Sequence, residues 1–292
     1  MANFKPNPMT ALPDRLKPQP PIKLFDDLYF VGSMMVGSWV IPTSEGLVLI
    51  EGSAEADHWE NCLKPGLEKL GFGDEKIIAL LLTHGHMDHY AGCDHIQRAT
   101  GCDICLSLKD IAYITAGVEN RKPNQTLPIP QVTRVLTPGE DLVFGDHVIH
   151  VIDGAGHTPG CLNYSMEVHE GDETHRFVMM GGYGIFGPGY TMKTEYTYGS
   201  VYAVEHAFMF AGTCVKTWEY AKENNCDVFL NPHPHLCNAY ELAEENKNRK
   251  PGDPNAFVCG KDGVRQWLLE RFDACLEMAP KFTDINKPYT EE

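Results

Sequence analysis

Three histidines and a carboxylate fall inside the six-residue stretch His84-Gly85-His86-Met87-Asp88-His89. Imidazole nitrogen and carboxylate oxygen together form a donor set for zinc and related divalent ions. Packed side by side without a cation, such groups carry a heavy desolvation cost. The stretch follows an apolar run, Ile77 to Leu82, with the length and character of a buried strand. A strand that ends in His-x-His-x-Asp-His releases its donors into a loop, where backbone bends can turn them toward a common centre. Four donors exceed what a single catalytic zinc takes from protein. A pair of metals sharing one hydroxide would use them all, provided that further donors arrive from distant loops.

Two more strand ends supply histidines. Gly154-Ala155-Gly156-His157-Thr158-Pro159-Gly160 follows a predicted strand over His147–Ile152. Its glycines permit a steep backbone turn, and Pro159 stiffens the exit. His233 follows a predicted strand over Asp227–Leu230 and is held between Pro232 and Pro234. His235 is an alternate donor two residues on, and the Pro-His-Pro order favours His233.

The elements that carry these loops follow from periodicity. Residues 1–23 are proline-rich and predict an extended arm, leaving 24–292 as a single domain. Leu28–Gly32, Val36–Ile41 and Gly46–Ile50 predict an antiparallel meander. Residues Ala54–Leu70 read as a helix that Pro65 should kink or split. After the histidine loop come a helix over Ala91–Ala99, a strand over Asp103–Leu106, a helix over Leu108–Ala116 and a loop over 117–131. A second β-rich half runs through Val132–Leu136, Asp141–Phe144, His147–Ile152, Leu162–Val168 and His175–Met180. A helix over Val201–Asn224, the short strand and helices near Ala239–Lys247 and Asp262–Met278 complete the chain. Sheet and helices, then sheet and helices again, predict an α/β fold. The expected form is a four-layer αβ/βα sandwich, two mixed β-sheets face to face with helices on the outer faces.

The bulk composition narrows the partners. A chain of 292 residues is long enough for a sizeable core. Lys plus Arg number 24 and Asp plus Glu 40, a net charge of -16 that repels nucleic acid and anionic membranes. No run of about 18 apolar residues predicts a spanning helix. Met1-Ala2-Asn3-Phe4-Lys5-Pro6 has no apolar leader core, and ten scattered cysteines then read as reduced thiols in a cytoplasm. A trimmed periplasmic mature form is the alternative. The lone Cys102-Asp103-Ile104-Cys105 pair reads as structural. The expected partner is a small-molecule substrate, and the oligomeric state is open.

Taken together, His84-x-His86-x-Asp88-His89, then Gly156-His157-Thr158-Pro159-Gly160, then a strand-end His233 resemble the metallo-β-lactamase superfamily. The resemblance runs from about Phe25 to the C-terminal helix. It implies the metallo-β-lactamase fold and a zinc-dependent hydrolase with two Zn2+ ions, a site that other divalent metals also suit. Carried over by position, His84, His86 and His157 bind one zinc, and Asp88, His89 and His233 bind the other. The implied reaction is attack of a metal-bridging hydroxide on a lactam, amide or ester carbonyl, with Asp88 as the catalytic residue that orients it. Glu51 stands where the family usually has Asp, and reads as a supporting or structural carboxylate. His58, His95, His147, His150, His169, His175 and His206 have no ligand spacing.

Departures from the pattern refine it. The strand Phe177-Val-Met-Met-Gly-Gly182-Tyr183-Gly184 has neither the bridging Asp nor the Cys that other members place at its end, which resembles subclass B3. The B3 enzymes usually hold the substrate carboxylate with serines in this region, whereas this chain has Tyr183, Gly184, Ile185, Phe186 and Gly187. The alternative is therefore a cytoplasmic lactonase or small-ester hydrolase with little or no β-lactamase activity. A non-catalytic metal-binding scaffold is the reading from another class, and six complete ligands argue against it. Met35 and Trp39 lie where the family has an apolar loop over the groove, and either cover it or pack in the core. Tyr183, Phe186 and Tyr190 are expected along the groove floor.

Overall fold

The computed structural model describes residues 14–52, 54–55, 57–116, 129–185 and 201–280. Twelve strands form two sheets among them. The first sheet has the order β1 (Ile22–Phe25), β2 (Leu28–Gly32), β3 (Gly37–Thr43), β4 (Gly46–Ile50), β5 (Ile77–Leu81), β6 (Asp103–Ser107), β7 (Arg134–Leu136). Pairing is antiparallel from β1 to β4 and parallel from β4 to β7, so the sheet is mixed. The parallel strands β4 and β5 are apolar along nearly their whole length, because both faces are covered.

The second sheet has the order β12, β11, β10, β9, β8, built from β8 (Asp141–Phe144), β9 (His147–Asp153), β10 (Leu162–Glu170), β11 (Glu173–Met179) and β12 (Val228–Leu230). Only the β11–β12 pairing is parallel. Between the sheets, Phe30, Trp39, Ile41 and Leu81 face Ile149, Val151, Tyr164 and Phe177 in one continuous core. Each fully buried large apolar side chain of this kind contributes about 1.5–3 kcal/mol.

Helices cover both outer faces. On the first sheet lie a π-helical turn at Trp59–Leu63 running into α1 (Lys64–Lys69), then α2 (Met87–Tyr90), α3 (Cys93–Thr100) and α4 (Leu108–Thr115). Leu63, Leu67, Ile96 and Ile114 pack there on Val40, Leu49, Leu80 and Ile104 as a second core. On the other side, α5 (Val201–Glu223) packs on α7 (Gly260–Met278), and Trp267 of α7 stacks on Phe229 of β12 at 4.9 Å. The remaining helix, α6 (Ala239–Lys247), lies against β1. The four-layer αβ/βα sandwich expected from the element order is the fold observed.

Three local expectations change. The strand near 132–136 is β7 and completes the first sheet instead of opening the second, because Arg134–Leu136 finds the free edge of β6. The helix read over Ala54–Leu70 begins only near Trp59, and Pro65 splits it as expected, the π-helical turn giving way to α1 at Lys64. Asp88 and His89 stand on the helical turn α2, so the histidine segment leaves its loop after His86.

A polar clamp joins the sheets at the end where β1 turns into β2. The Asp27 carboxylate accepts from the His169 backbone N–H at 2.9 Å and from the imidazoles of His169 and His147 at 2.6 and 3.3 Å. His147 also meets Asp146 at 3.0 Å, whose carboxylate caps the Ser44 N–H at 2.8 Å. Burial opposes the Asp27 charge, but its two imidazoles and the His169 N–H together hold its pKa below the ordinary value. The hydrogen bond to Asp27 raises that of His147. A depressed carboxylate contributes stability above its unfolded pKa near 4, and a raised imidazole contributes it below its unfolded pKa near 6.5. The clamp is therefore strongest between those two values. Asp27→Asn is expected to cost about 1 kcal/mol of unfolding free energy near pH 5.5 and less at pH 8.5. Urea midpoints at the two pH values test this, and an equal loss at both would remove the clamp's role.

Candidate metal centre

Every predicted ligand reaches the same edge of the sandwich, because each follows the end of a strand. His84 lies three residues beyond β5, and Leu82 still donates its N–H to Cys105 of β6 at 2.9 Å. His86 precedes α2, on which Asp88 and His89 sit. His157 comes from the β9–β10 connection, and His233 from the segment after β12, just before a 3-10 turn at Pro234–Leu236.

The donor atoms of His84, His86 and His157 all lie within 4.8 Å of one another, and so do those of Asp88, His89 and His233. The two triplets abut, with the His84 and His89 rings 4.1 Å apart between centroids. His84 Nε2 stands 3.1 Å from His86 Nδ1. Two ligands on a tetrahedral ion with bonds of roughly 2.0–2.1 Å are separated by about that much. The Asp88 carboxylate lies 3.6 Å from His89 Nε2 and 3.7 Å from His233 Nε2.

The rings are oriented from behind. His89 Nδ1 meets the Glu51 carboxylate at 2.8 Å, His157 Nδ1 the Gly184 carbonyl at 2.5 Å, and His233 Nδ1 the Met35 carbonyl at 2.8 Å. These partners are pure acceptors, so Nδ1 carries the proton in each and Nε2 presents its lone pair to the centre. Glu51 does more than balance charge. Its other oxygen accepts from the Thr83 N–H at 3.1 Å, and its backbone holds φ +83°, a conformation that ordinary residues avoid.

Burial pushes the pKa values of His84 and His86 well below the ordinary imidazole value, and neighbouring rings push the same way. Burial lowers His157 to about 4 and also lowers His233. These four rings are therefore neutral near pH 7, the form that ligates metals. Burial alone would raise the pKa of Asp88, but His89 and His233 outweigh it and hold the carboxyl well below its usual range.

Asp110 is the residue that sequence reasoning missed. Fully buried in α4, it accepts from the Gly85 N–H at 2.7 Å, the Thr158 hydroxyl at 2.6 Å and the Gly160 N–H at 2.7 Å. It thus ties the loop of His84 and His86 to the loop of His157. Burial raises its pKa to about 6 against those three donors, which leaves it ionised near pH 7. The signal was faint, one acid on the inner side of a predicted helix, with nothing to say what it would meet. His206, which has no ligand spacing, holds the same loop from α5 through the Gly156 carbonyl at 2.9 Å. Gly156 itself, at φ +127°, passes so close to Phe210 that a Cβ would lie 2.4 Å from the Phe210 nitrogen.

A cleft of about 340 Å³ opens over the two triplets. Met35 and Tyr183 line it, as do Arg15, Glu55, His235 and Leu236. Trp39 does not belong there. It is fully buried between the sheets, 4.9 Å from the Phe30 ring, because its β3 position faces the inner core. His235 turns its Nδ1 to the Met34 carbonyl at 3.0 Å, and the second triplet uses His233. Phe186 and Tyr190 lie outside the described residues. In the stretch that lacks the acid, Gly182 passes close to the His157 side chain: a Cβ on it would stand 2.3 Å from the Cβ of His157.

Asp110→Asn would set an amide N–H against backbone donors. It is expected to cost about 1–3 kcal/mol and to weaken metal binding by roughly 10–100-fold. Thermal unfolding and metal titration of the variant test this, and unchanged metal affinity would leave Asp110 a fold residue only.

Comparison with known proteins bears on the whole arrangement. Residues 32–170 match the family described as the Metallo-beta-lactamase superfamily. Among solved structures, the chain is similar to BJP-1, a subclass B3 metallo-beta-lactamase of Bradyrhizobium japonicum. The TM-score is 0.77 at 24% identity, over 94% of this chain and 98% of that one. It is also similar to native FEZ-1 metallo-beta-lactamase from Legionella gormanii, with a TM-score of 0.73 at 25% identity, over 90% of this chain and 96% of that one. Among curated proteins, it is 30% identical to a hydroxyacylglutathione hydrolase of Rhizobium etli over 30% of this chain. The chain spans 29% of the length of that relative.

Proposed function

Because residues 32–170 match the metallo-β-lactamase superfamily, we propose that the chain is a di-zinc hydrolase that opens a lactam, amide or ester bond. The observation that carries the reading is the pair of adjacent three-donor groups in one cleft. The donors suit the ions: in each group nitrogen predominates, and three rings have the metal-facing Nε2 fixed by an acceptor on Nδ1. His84, His86 and His157 hold one zinc; Asp88, His89 and His233 hold the other. When bound, the two ions supply Lewis acidity and lower the pKa of the attacking water.

The chain's own side chains do the rest. Asp88, a quarter exposed to the cleft, accepts a hydrogen bond from the attacking water and fixes its direction. Met35 and the ring of Tyr183 give the cleft apolar walls that orient the substrate and exclude bulk water. Ten free thiols, nine of them buried, support a reducing, cytoplasmic setting. Among the described residues no helix is long and apolar enough to cross a membrane.

A second reading concerns the substrate. The positions where serines would hold a β-lactam carboxylate carry Tyr183, Gly184 and Ile185. Together with the similarity to hydroxyacylglutathione hydrolases, this favours a lactone, ester or thioester. Metal analysis should find about two zincs per chain, and His86→Ala about one or fewer with hydrolysis lost. Nitrocefin assayed beside lactones and acyl thioesters divides the two readings, since failure to open any β-lactam leaves only the second. A metal-free protein with full activity would sink both.

A further inference from the structure

Arg15 is the only lysine or arginine among the described residues that line the metal cleft. Its backbone is held by a chain of contacts, while its side chain is exposed at the cleft. Asp14 starts a turn closed by the Lys17 N–H donating to the Asp14 carbonyl at 2.7 Å. Gln19 then donates its N–H to the Gly32 carbonyl at 2.9 Å, and Pro18 bridges to Ser33, so the arm runs antiparallel to the end of β2. Met35 donates its N–H to the Arg15 carbonyl at 3.1 Å, and its own carbonyl accepts from His233 Nδ1 at 2.8 Å. One residue therefore ties Arg15 on one side and a candidate ligand on the other.

The guanidinium forms no ion pair with an acid among the described residues. That is unusual company for a cation in a chain of net charge -16. Gly181 and Gly182, which also line the cleft, offer no side chain. The Tyr183 hydroxyl is buried, and the Arg271 guanidinium sits 4.0 Å from the Tyr183 ring centroid. Neither can serve a charged group in the cleft.

We propose that Arg15 receives the carboxylate of the substrate, so that the cleft takes carboxylate-bearing acyl compounds with the reacting carbonyl at the metal pair and the acid at the N-terminal arm. The planar, permanently charged fork of an arginine matches a carboxylate through two parallel hydrogen bonds. This rests on the metallohydrolase reading above and names the substrate class for it.

Binding of thiol probes tests the assignment without turnover. Mercaptoacetate, 3-mercaptopropionate and 4-mercaptobutyrate carry a thiolate for the metals and a carboxylate at increasing reach; their methyl esters lack the charge. Calorimetry would use the zinc-loaded full chain, with zinc measured on the same samples, in wild type, Arg15→Ala and Arg15→Lys. Wild type is expected to bind at least one acid about tenfold or more tightly than its ester, the size of a hydrogen-bonded charge. Arg15→Ala should bring acid and ester within about twofold while leaving the ester's affinity unchanged, and Arg15→Lys should fall between. A zinc-loaded wild type with no preference for the acid, or a preference that persists in Arg15→Ala, overturns the role of Arg15 alone. A chain that takes up no zinc and binds neither probe overturns the metal centre, and the proposal with it.

Discussion

Five imidazoles and one carboxylate crowd into a space where ring centroids are as close as 4.1 Å, and four of the rings are buried almost completely. His84 Nε2 and His86 Nδ1 stand 3.1 Å apart, a separation that suits an N–H···N bond between neutral rings or two lone pairs on one cation. Burial lowers the pKa values of these rings, which disfavours a second proton on any of them and leaves the neutral form that ligates metals. The rest of the molecule is arranged around the need for a cation there. Loops are set at strand ends, rings are turned by acceptors, and the glycines sit where two chains must nearly touch.

Holding such a cluster together requires rigidity at the backs of the loops, and the structure supplies it with two buried acids. Glu51 joins the end of β4 to Thr83 and His89, and Asp110 joins Gly85 to Thr158 and Gly160. Each carboxylate collects several donors, which is how a buried charge becomes tolerable. The two acids bind loops that are far apart in sequence, so the geometry of the centre belongs to the whole sandwich and not to one motif. Helix α5 adds a third support, through His206 and the Thr213 hydroxyl on the carbonyls of Gly156 and Ala155.

Much of this was legible in the sequence, and the limits have physical causes. The candidate ligands stood out because no common structural role places three histidines and an acid at that spacing. The element order gave the sandwich because alternating patterns of burial dictate layers. What failed was anything that depends on which distant surface an element meets. The strand near residue 134 carried no mark of its sheet, since a three-residue edge strand reads the same beside β6 as beside β8. Trp39 is a large aromatic on a strand, and only the direction of its face decides between core and cleft. Asp110 and His206 look like ordinary polar residues until the loop they support is folded against them.

The absence of an acid at the end of β11 is the departure with the widest consequence. Gly181 and Gly182 run under the His157 loop so closely that any side chain at 182 would enter the imidazole. In the proposed two-metal centre Asp88 would be the one anionic ligand among six, and two dications against one carboxylate would make the centre strongly positive. A positive centre inside a chain of net charge -16 attracts anions locally while the surface repels them at a distance. The cleft thus discriminates by shape and by its short-range charges, and groups fixed at its rim by backbone count for more than they would on a neutral protein. Gly181 and Gly182 also leave their stretch of the cleft lining without hydrogen-bonding side chains.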